Sequence, residues 1–285
     1  MFVVGATTFS FINGAIYSKN LCGLDKFHKH LFNFSSLEFL LIGHAYGTSQ
    51  NDNLAEKLDD FLNHLQKSGG QGIPLIFSGD VFHTPTVKKW SNLQNYADNI
   101  IIAPGNHDII DGDAFEKRPN NYLNRLRSTS FWKTFPNDYP FSSVIGKTKN
   151  VMIVVLDTNN PEIDLGLNRF SEAFKAPEIE TILIISHHVI DTALKKYSHG
   201  EPEHFLSKES VKTRALFIKK LSELSLKLRK NILLVAGDTG MNSEYSSFNC
   251  EKRTEYFLSI ANGLGDRYGD KIIGFSNAKL FYVEL

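Results

Sequence analysis

Cysteine is nearly absent: Cys22 and Cys250 are the only two in 285 residues. Two thiols build neither a disulfide framework nor a zinc ribbon, so a reducing compartment, the cytoplasm, is expected. Net charge is absent too, with 31 basic residues against 31 acidic ones. That balance removes any global attraction to nucleic acid or anionic lipid and leaves only a local patch open. A convincing membrane span is also lacking. Residues 2–18 are apolar but broken by Thr7, Thr8, Ser10 and Asn13, and they fall short of the roughly 20 residues a span needs. No basic stretch precedes them; Lys19, Lys26 and Lys29 follow. They are expected to pack as a strand or helix, and an anchor or export signal is the alternative. Internal repeats, low-complexity segments and a dividing linker are all missing.

A hydrophobic content of 42% and a charged content of 22% describe a globular protein with a sizeable core. The 22 Phe are core material. The expected organisation is an N-terminal extension over residues 1–37 and one domain over 38–285. Short unbroken apolar runs suit strands buried on both faces. Such runs occur at 38–43, 74–78, 99–102, 151–156, 181–185 and 231–236, with three further strand candidates at 256–260, 271–275 and 280–283. Residues 51–67 carry Leu54, Leu58, Phe61, Leu62 and Leu65 on one helical face, and Ser68-Gly69-Gly70 ends that helix. Residues 209–230 repeat the pattern with Phe217, Leu221, Leu224 and Leu228. The Lys- and Trp-bearing stretch between the strands at 74 and 99 is long enough for a crossover helix. Residues 109–137 read as irregular with short helices, and 191–209 as an insertion loop.

Five of these strands stop at polar groups: Gly43-His44, Gly79-Asp80, Gly105-Asn106-His107-Asp108, His187-His188 and Gly237-Asp238. Parallel strands would deliver them to one sheet edge, where ligands bind in α/β folds. Carboxylate, amide and imidazole are the groups that hold divalent metals and move protons. Each also has a plainer reading. Asp80 could cap a helix, Asn106 could fill a turn, His107 could be a satisfied structural histidine, and Asp238 could be a loop carboxylate. Tyr46 is expected to pack, and Asp157 to orient a neighbouring loop.

Ser78-Gly79-Asp80 and Gly105-Asn106-His107-Asp108, in the order of the five strand ends, resemble motifs of the calcineurin-like metallophosphoesterases. The resemblance implies an α/β fold: a four-layer sandwich of two mixed β-sheets flanked by helices. It also implies two metals at the strand ends. Asp80 matches the bridging ligand, and Asn106 and His187 match ligands of the second ion. His107 matches the residue that contacts phosphate or protonates the leaving group, with Asp108 placed to orient its imidazole.

Two motifs depart from the family. Where the first usually has Asp and then His two residues on, this chain has His44 and Tyr46. Where the fifth usually reads Gly-His-x-His, it has Gly237-Asp238-Thr239-Gly240. Asp238 can substitute in the second site. His44 with Asp80 and His83 could rebuild a weaker first one. One or two divalent ions are therefore expected. Mn²⁺ fits this harder donor set best, ahead of Mg²⁺, Fe²⁺ or Zn²⁺. The implied function is a metal-dependent hydrolase of a phosphate monoester or diester, in which metal-activated hydroxide attacks phosphorus. The alternative is a catalytically weak member that binds metal or a phosphorylated ligand as a scaffold. The expected partner is a small phosphoester substrate. No residues point to nucleic acid, residues 2–18 leave membrane contact open, and nothing fixes an oligomeric state.

Overall fold

The computed structural model describes residues 25–27, 37–46, 53–109, 122–136, 138–145, 150–160, 165, 174–196, 211–238, 248–262, 271–276 and 279–285. Residues 2–18, most of the loop at 191–209, and Thr239 and Gly240 lie outside them.

Among the described residues, twelve strands form two six-stranded sheets. The first sheet contains β1 (Asp25–Phe27), β2 (Phe39–Ile42), β3 (Leu75–Phe77), β4 (Ile100–Ile102), β11 (Lys271–Ser276) and β12 (Lys279–Glu284). Their order is β1-β12-β11-β2-β3-β4, and β2, β3 and β4 run parallel. The second sheet contains β5 (Phe141–Ile145), β6 (Val151–Val155), β7 (Thr181–Ser186), β8 (Asn231–Ala236), β9 (Phe248–Lys252) and β10 (Phe257–Asn262). Its order is β5-β6-β7-β8-β10-β9, with β6, β7, β8 and β10 parallel and both edge strands antiparallel. Both sheets are mixed, as expected.

The period of two along each strand sorts side chains into layers. Phe39 and Leu41 of β2, with Ile76 and Ile101, meet Ile153, Val155, Leu183, Ile185, Leu233 and Val235 of the second sheet, so the two sheets share one core. Leu40, Ile42, Leu75 and Phe77 face the other way. They pack on helix α1 (Glu56–Lys67) through Leu58, Phe61, Leu62 and Leu65, and on α2 (Val87–Leu93) through Trp90 and Leu93. The outer face of the second sheet, with Val154, Ile182, Ile184, Ile232 and Leu234, is covered by Phe217, Ile218 and Leu221 of the long helix Val211–Leu228. The result is helix, sheet, sheet, helix. Each fully buried Leu, Ile or Phe in these layers stabilises the fold by about 1.5–3 kcal/mol.

The crossover between β3 and β4 is helical as expected, and Thr86 caps α2 by accepting the N–H of Lys89 at 3.2 Å. Within 109–137 two short helices form, α3 (Tyr122–Ser128) and α4 (Ser130–Thr134); the long helix is therefore α5. Three strands are not anticipated by the sequence pattern: β1, β5 and β9. Each lies at the edge of its sheet. No helix among the described residues is long and apolar enough to cross a membrane.

Among the described residues no cysteine is free. Cys250, on β9, is disulfide-bonded, and the chain's other cysteine, Cys22, lies outside the described residues. A lasting disulfide belongs to oxidising surroundings, so the cysteines no longer argue for the cytoplasm.

Candidate metal centre

The parallel strands of both sheets release their polar residues at one place. His44 follows β2, Asp80 follows β3, and Asn106, His107 and Asp108 follow β4. His187 and His188 follow β7, and Asp238 follows β8. The two sheet edges are pressed together there by glycine. A Cβ on Gly237 would lie 2.1 Å from the Ser78 carbonyl oxygen. A Cβ on Gly79 would lie 2.5 Å from Nδ1 of His187, and Gly79 itself has φ of 91°, a left-handed conformation open to glycine.

His187 is the hub. It is fully buried, and its Nδ1 meets the Ser78 carbonyl at 3.2 Å. A carbonyl only accepts, so Nδ1 carries the hydrogen and Nε2 points the other way. Nε2 faces three oxygens: Oδ1 of Asn106 at 2.8 Å, Oδ1 of Asp80 at 3.5 Å and Oδ2 of Asp238 at 3.7 Å. A lone pair cannot stably face three other oxygen donors, so a proton or a metal cation must stand between them. Burial pulls the His187 imidazole down, but Asp80, Asp238, Asp108 and the Ser78 bond outweigh it, and the net shift is upward. The structure thus brings Asp80, Asn106, His187 and Asp238 together, with donors of the types that hold divalent ions.

Asp80 is buried, with φ of 53°, costly for a residue with a side chain. Its Oδ1 accepts the N–H of His107 at 3.1 Å, and its carbonyl accepts that of Ala45 at 2.9 Å. Its Oδ2 faces Nε2 of His44 at 3.6 Å. His44 is buried too, with no hydrogen-bond partner at Nδ1. Burial pushes it below the ordinary imidazole range, against the opposing pull of Asp80 and Asp238. Tyr46 packs beside it, as expected; burial, then the charges of Asp80, Asp238 and Asp108, hold its phenol proton far above the usual range.

One residue differs from expectation. Asp108 does not orient His107. Its Oδ2 accepts the N–H groups of Asp80 at 2.8 Å and Gly105 at 2.9 Å, and its Oδ1 accepts that of Val81 at 3.0 Å. The backbone winds around this carboxylate, which is fully buried. Burial, with Asp80 beside it, pushes Asp108 up to about 6, against the bonds from Gly105 and Val81. The imidazole of His107 is oriented instead by the His83 carbonyl, at 3.1 Å from Nδ1. The His83 ring lies 4.5 Å from that of His107, and its Nδ1 meets the Thr84 hydroxyl at 3.3 Å. The sequence places His83 beside His44 and Asp80; its ring packs on Tyr46 with 5.4 Å between centroids, and His44 packs on the same ring at 4.3 Å.

A further layer surrounds these residues, of which the sequence pattern indicates only Asp157 and the His187-His188 pair. His188 joins His187 and Asp238 in a group whose donor atoms lie within 4.8 Å of one another, and its Nδ1 meets the Thr158 hydroxyl at 2.9 Å. Asp157 accepts the Tyr122 hydroxyl at 2.6 Å, and Asn159 donates to the Pro104 carbonyl at 2.7 Å. These bonds tie the end of β6 to the Asn106 turn, the loop-orienting role expected of Asp157.

A model of the calcineurin-like phosphoesterase family matches residues 44–214, more than half of the chain. The chain belongs to that family. Its members are metal-dependent phosphoester hydrolases that bind divalent ions, and this one is atypical in its first and fifth motifs. The solved structures similar to this chain include two nucleotidases. One is the 5'-nucleotidase from Candida albicans, at 12% identity and a TM-score of 0.43, over 87% of this chain and 51% of that one. The other is the 5'-nucleotidase precursor from Thermus thermophilus, at 14% identity and a TM-score of 0.39, over 91% and 54%. This phosphoesterase-family chain spans about half the length of either. No curated protein sequence matches it.

Proposed function

We propose that the chain hydrolyses a phosphate monoester or diester at a metal centre held by Asp80, Asn106, His187 and Asp238. The observation that carries this is the convergence of three oxygens on Nε2 of a buried imidazole whose other nitrogen is already engaged. Two carboxylates and an amide oxygen against one imidazole form a hard donor set, which suits Mn²⁺ or Mg²⁺. When bound, such an ion neutralises phosphoryl oxygens and lowers the pKa of a water. The chain's own residues do the rest. Asp80 is fixed at Oδ1 by the His107 N–H, while its Oδ2 faces His44 at 3.6 Å. His107 gives its Nδ1 hydrogen to the His83 carbonyl, so Nε2 is the nitrogen left to face the substrate, and as the imidazolium it donates to the leaving oxygen. Asp108 acts through the backbone, as the clamp that shapes the Asp80 turn.

The test is release of phosphate or nitrophenol from generic monoesters and diesters, with each divalent metal supplied separately. Asp80→Asn should abolish metal binding and turnover. His107→Ala should keep the metal and lose about 10²–10⁴-fold in rate, as for a missing general acid. Equal rates in wild type and Asp80→Asn with every metal would overturn the hydrolase reading. The scaffold reading would then stand, favoured by His44 and Tyr46 where the family carries Asp and His.

A further inference from the structure

The two oxygens of Asp80 face different surroundings. Oδ1 looks toward His187, with Asn106 and a second carboxylate, Asp238, gathered on the same nitrogen. Oδ2 looks toward His44 at 3.6 Å. An ion bridged by Asp80 to the first would lie on the Oδ2 side, about 3.5–4 Å from its partner. Two divalent cations that close repel strongly, and each needs anionic donors of its own. Asp238 supplies one on the Oδ1 side.

His44 stands on the Oδ2 side, with Tyr46 packed against it. The His44 ring centroid is 4.3 Å from that of Tyr46, and the Tyr46 centroid is 5.4 Å from both His83 and His107. Tyr46 is 1% exposed and His44 3%. Tyr46 is held by the backbone on both sides. Ala45 donates to the Asp80 carbonyl at 2.9 Å and accepts from Ala55 at 2.8 Å, and Tyr46 pairs with Leu54 in a β-bridge. The imidazoles around it have nitrogens turned elsewhere: Nδ1 of His107 to the His83 carbonyl and Nδ1 of His83 to Thr84. Resting on the proposed function, we infer that this centre holds a single divalent ion on the Oδ1 side, with the rings of His44 and Tyr46 filling the volume of a second. The site is then a one-ion centre, with an aromatic plug in place of the partner ion that the family resemblance implied.

The experiment counts metal in the full chain. Protein loaded with Mn²⁺ and desalted is assayed by elemental mass spectrometry, and its electron paramagnetic resonance spectrum is recorded. Wild type should carry one equivalent and show the spectrum of an isolated Mn²⁺. The double variant His44→Asp/Tyr46→His should gain a second equivalent and the exchange-coupled spectrum of a pair. Two equivalents with a coupled spectrum in wild type would overturn the inference and leave the proposed hydrolase intact. No bound metal in wild type would overturn both together. A double variant that is folded by circular dichroism yet still holds one equivalent would overturn the part given to the two rings. Should that variant fail to fold, the wild-type count still decides.

Discussion

Asp108 accepts the backbone N–H of Asp80 at 2.8 Å, and this bond helps hold Asp80 in its left-handed turn. Two more N–H groups, of Gly105 and Val81, end on the same carboxylate. Asp108→Ala would leave all three donors buried without an acceptor, at about 1–3 kcal/mol for each group left unmade. The expected result is a large drop in the urea midpoint together with weakened metal binding. Asp108→Asn keeps one acceptor oxygen and should lose less. Normal stability and metal affinity with only turnover reduced would return Asp108 to a role at the His107 imidazole.

Gly105 is the second constraint on Asp80. A Cβ there would sit 2.1 Å from Oδ1 and 2.2 Å from the backbone nitrogen of Asp80. Oδ1 ends a side chain, but the backbone nitrogen cannot swing aside, so the turn itself must move. Gly105→Ala should destabilise by about 1–3 kcal/mol, as overpacking does, and should lower metal affinity further than the stability loss alone explains. Gly72→Ala is the control, because nothing lies within 4 Å of a Cβ there. Isothermal titration with Mn²⁺ on both variants separates the two effects. Equal metal affinity in both would show that the close approach to Asp80 has no bearing on the centre.

The central strands are legible because they are buried on both faces. Ile76, Phe77, Ile101 and Ile102 all sit in a core, and so do Leu183, Ile184, Leu234 and Val235, so the runs are unbroken. β5 is not legible, because Ser142 and Val144 face water at the sheet edge and leave only a weak pattern. At the site, Asp80, Asn106, His187 and Asp238 can be read because each follows a strand and the topology brings the strand ends together. The direction of Asp108 cannot. It depends on which backbone N–H groups the Gly105 turn presents, and that follows from the tertiary path of the chain. The hold of the His83 carbonyl on His107 is hidden for the same reason, since a backbone acceptor leaves no trace in residue identity.

Asp157 gives a pH dependence outside the centre. Burial raises its pKa above the ordinary carboxylate value, more than the Tyr122 hydroxyl and the N–H groups of Asn159 and Asn160 lower it. A carboxyl raised in the folded state binds its proton more tightly there than when unfolded. Its stabilising contribution is therefore fully present below the unfolded value near 3.9 and is lost as pH rises through the folded value. Asp157→Asn removes this titration while keeping the shape. The variant should lose less stability than wild type as pH rises from about 4 toward neutral, read as urea midpoints across that range. Parallel curves for the two proteins would contradict the upward shift.

Behind the His187-His188 loop, Asp191 is 1% exposed and is held by Arg253 from the segment between β9 and β10. Nε of Arg253 donates to Oδ2 at 2.8 Å, a second nitrogen donates to Oδ1, and the N–H of Ala193 also ends on Oδ1 at 3.0 Å. The bond to Asp191 raises the Arg253 pKa further, so the guanidinium stays charged at any working pH. Removing it leaves a carboxylate buried with one backbone donor. Breaking such a pair costs about 3–5 kcal/mol in a fully buried site, and the lower end applies here because Arg253 keeps 28% of its side chain in water. Arg253→Lys preserves the charge but loses the two-pronged geometry, so it should recover only part of the loss. The double variant Arg253→Met/Asp191→Leu removes both charges and should be more stable than Arg253→Ala alone. The measurement is the urea midpoint of all three variants, with Mn²⁺ affinity alongside to report on His187, four residues before Asp191. A midpoint for Arg253→Ala within error of wild type would show that Asp191 finds another partner and that this pair does not hold the loop.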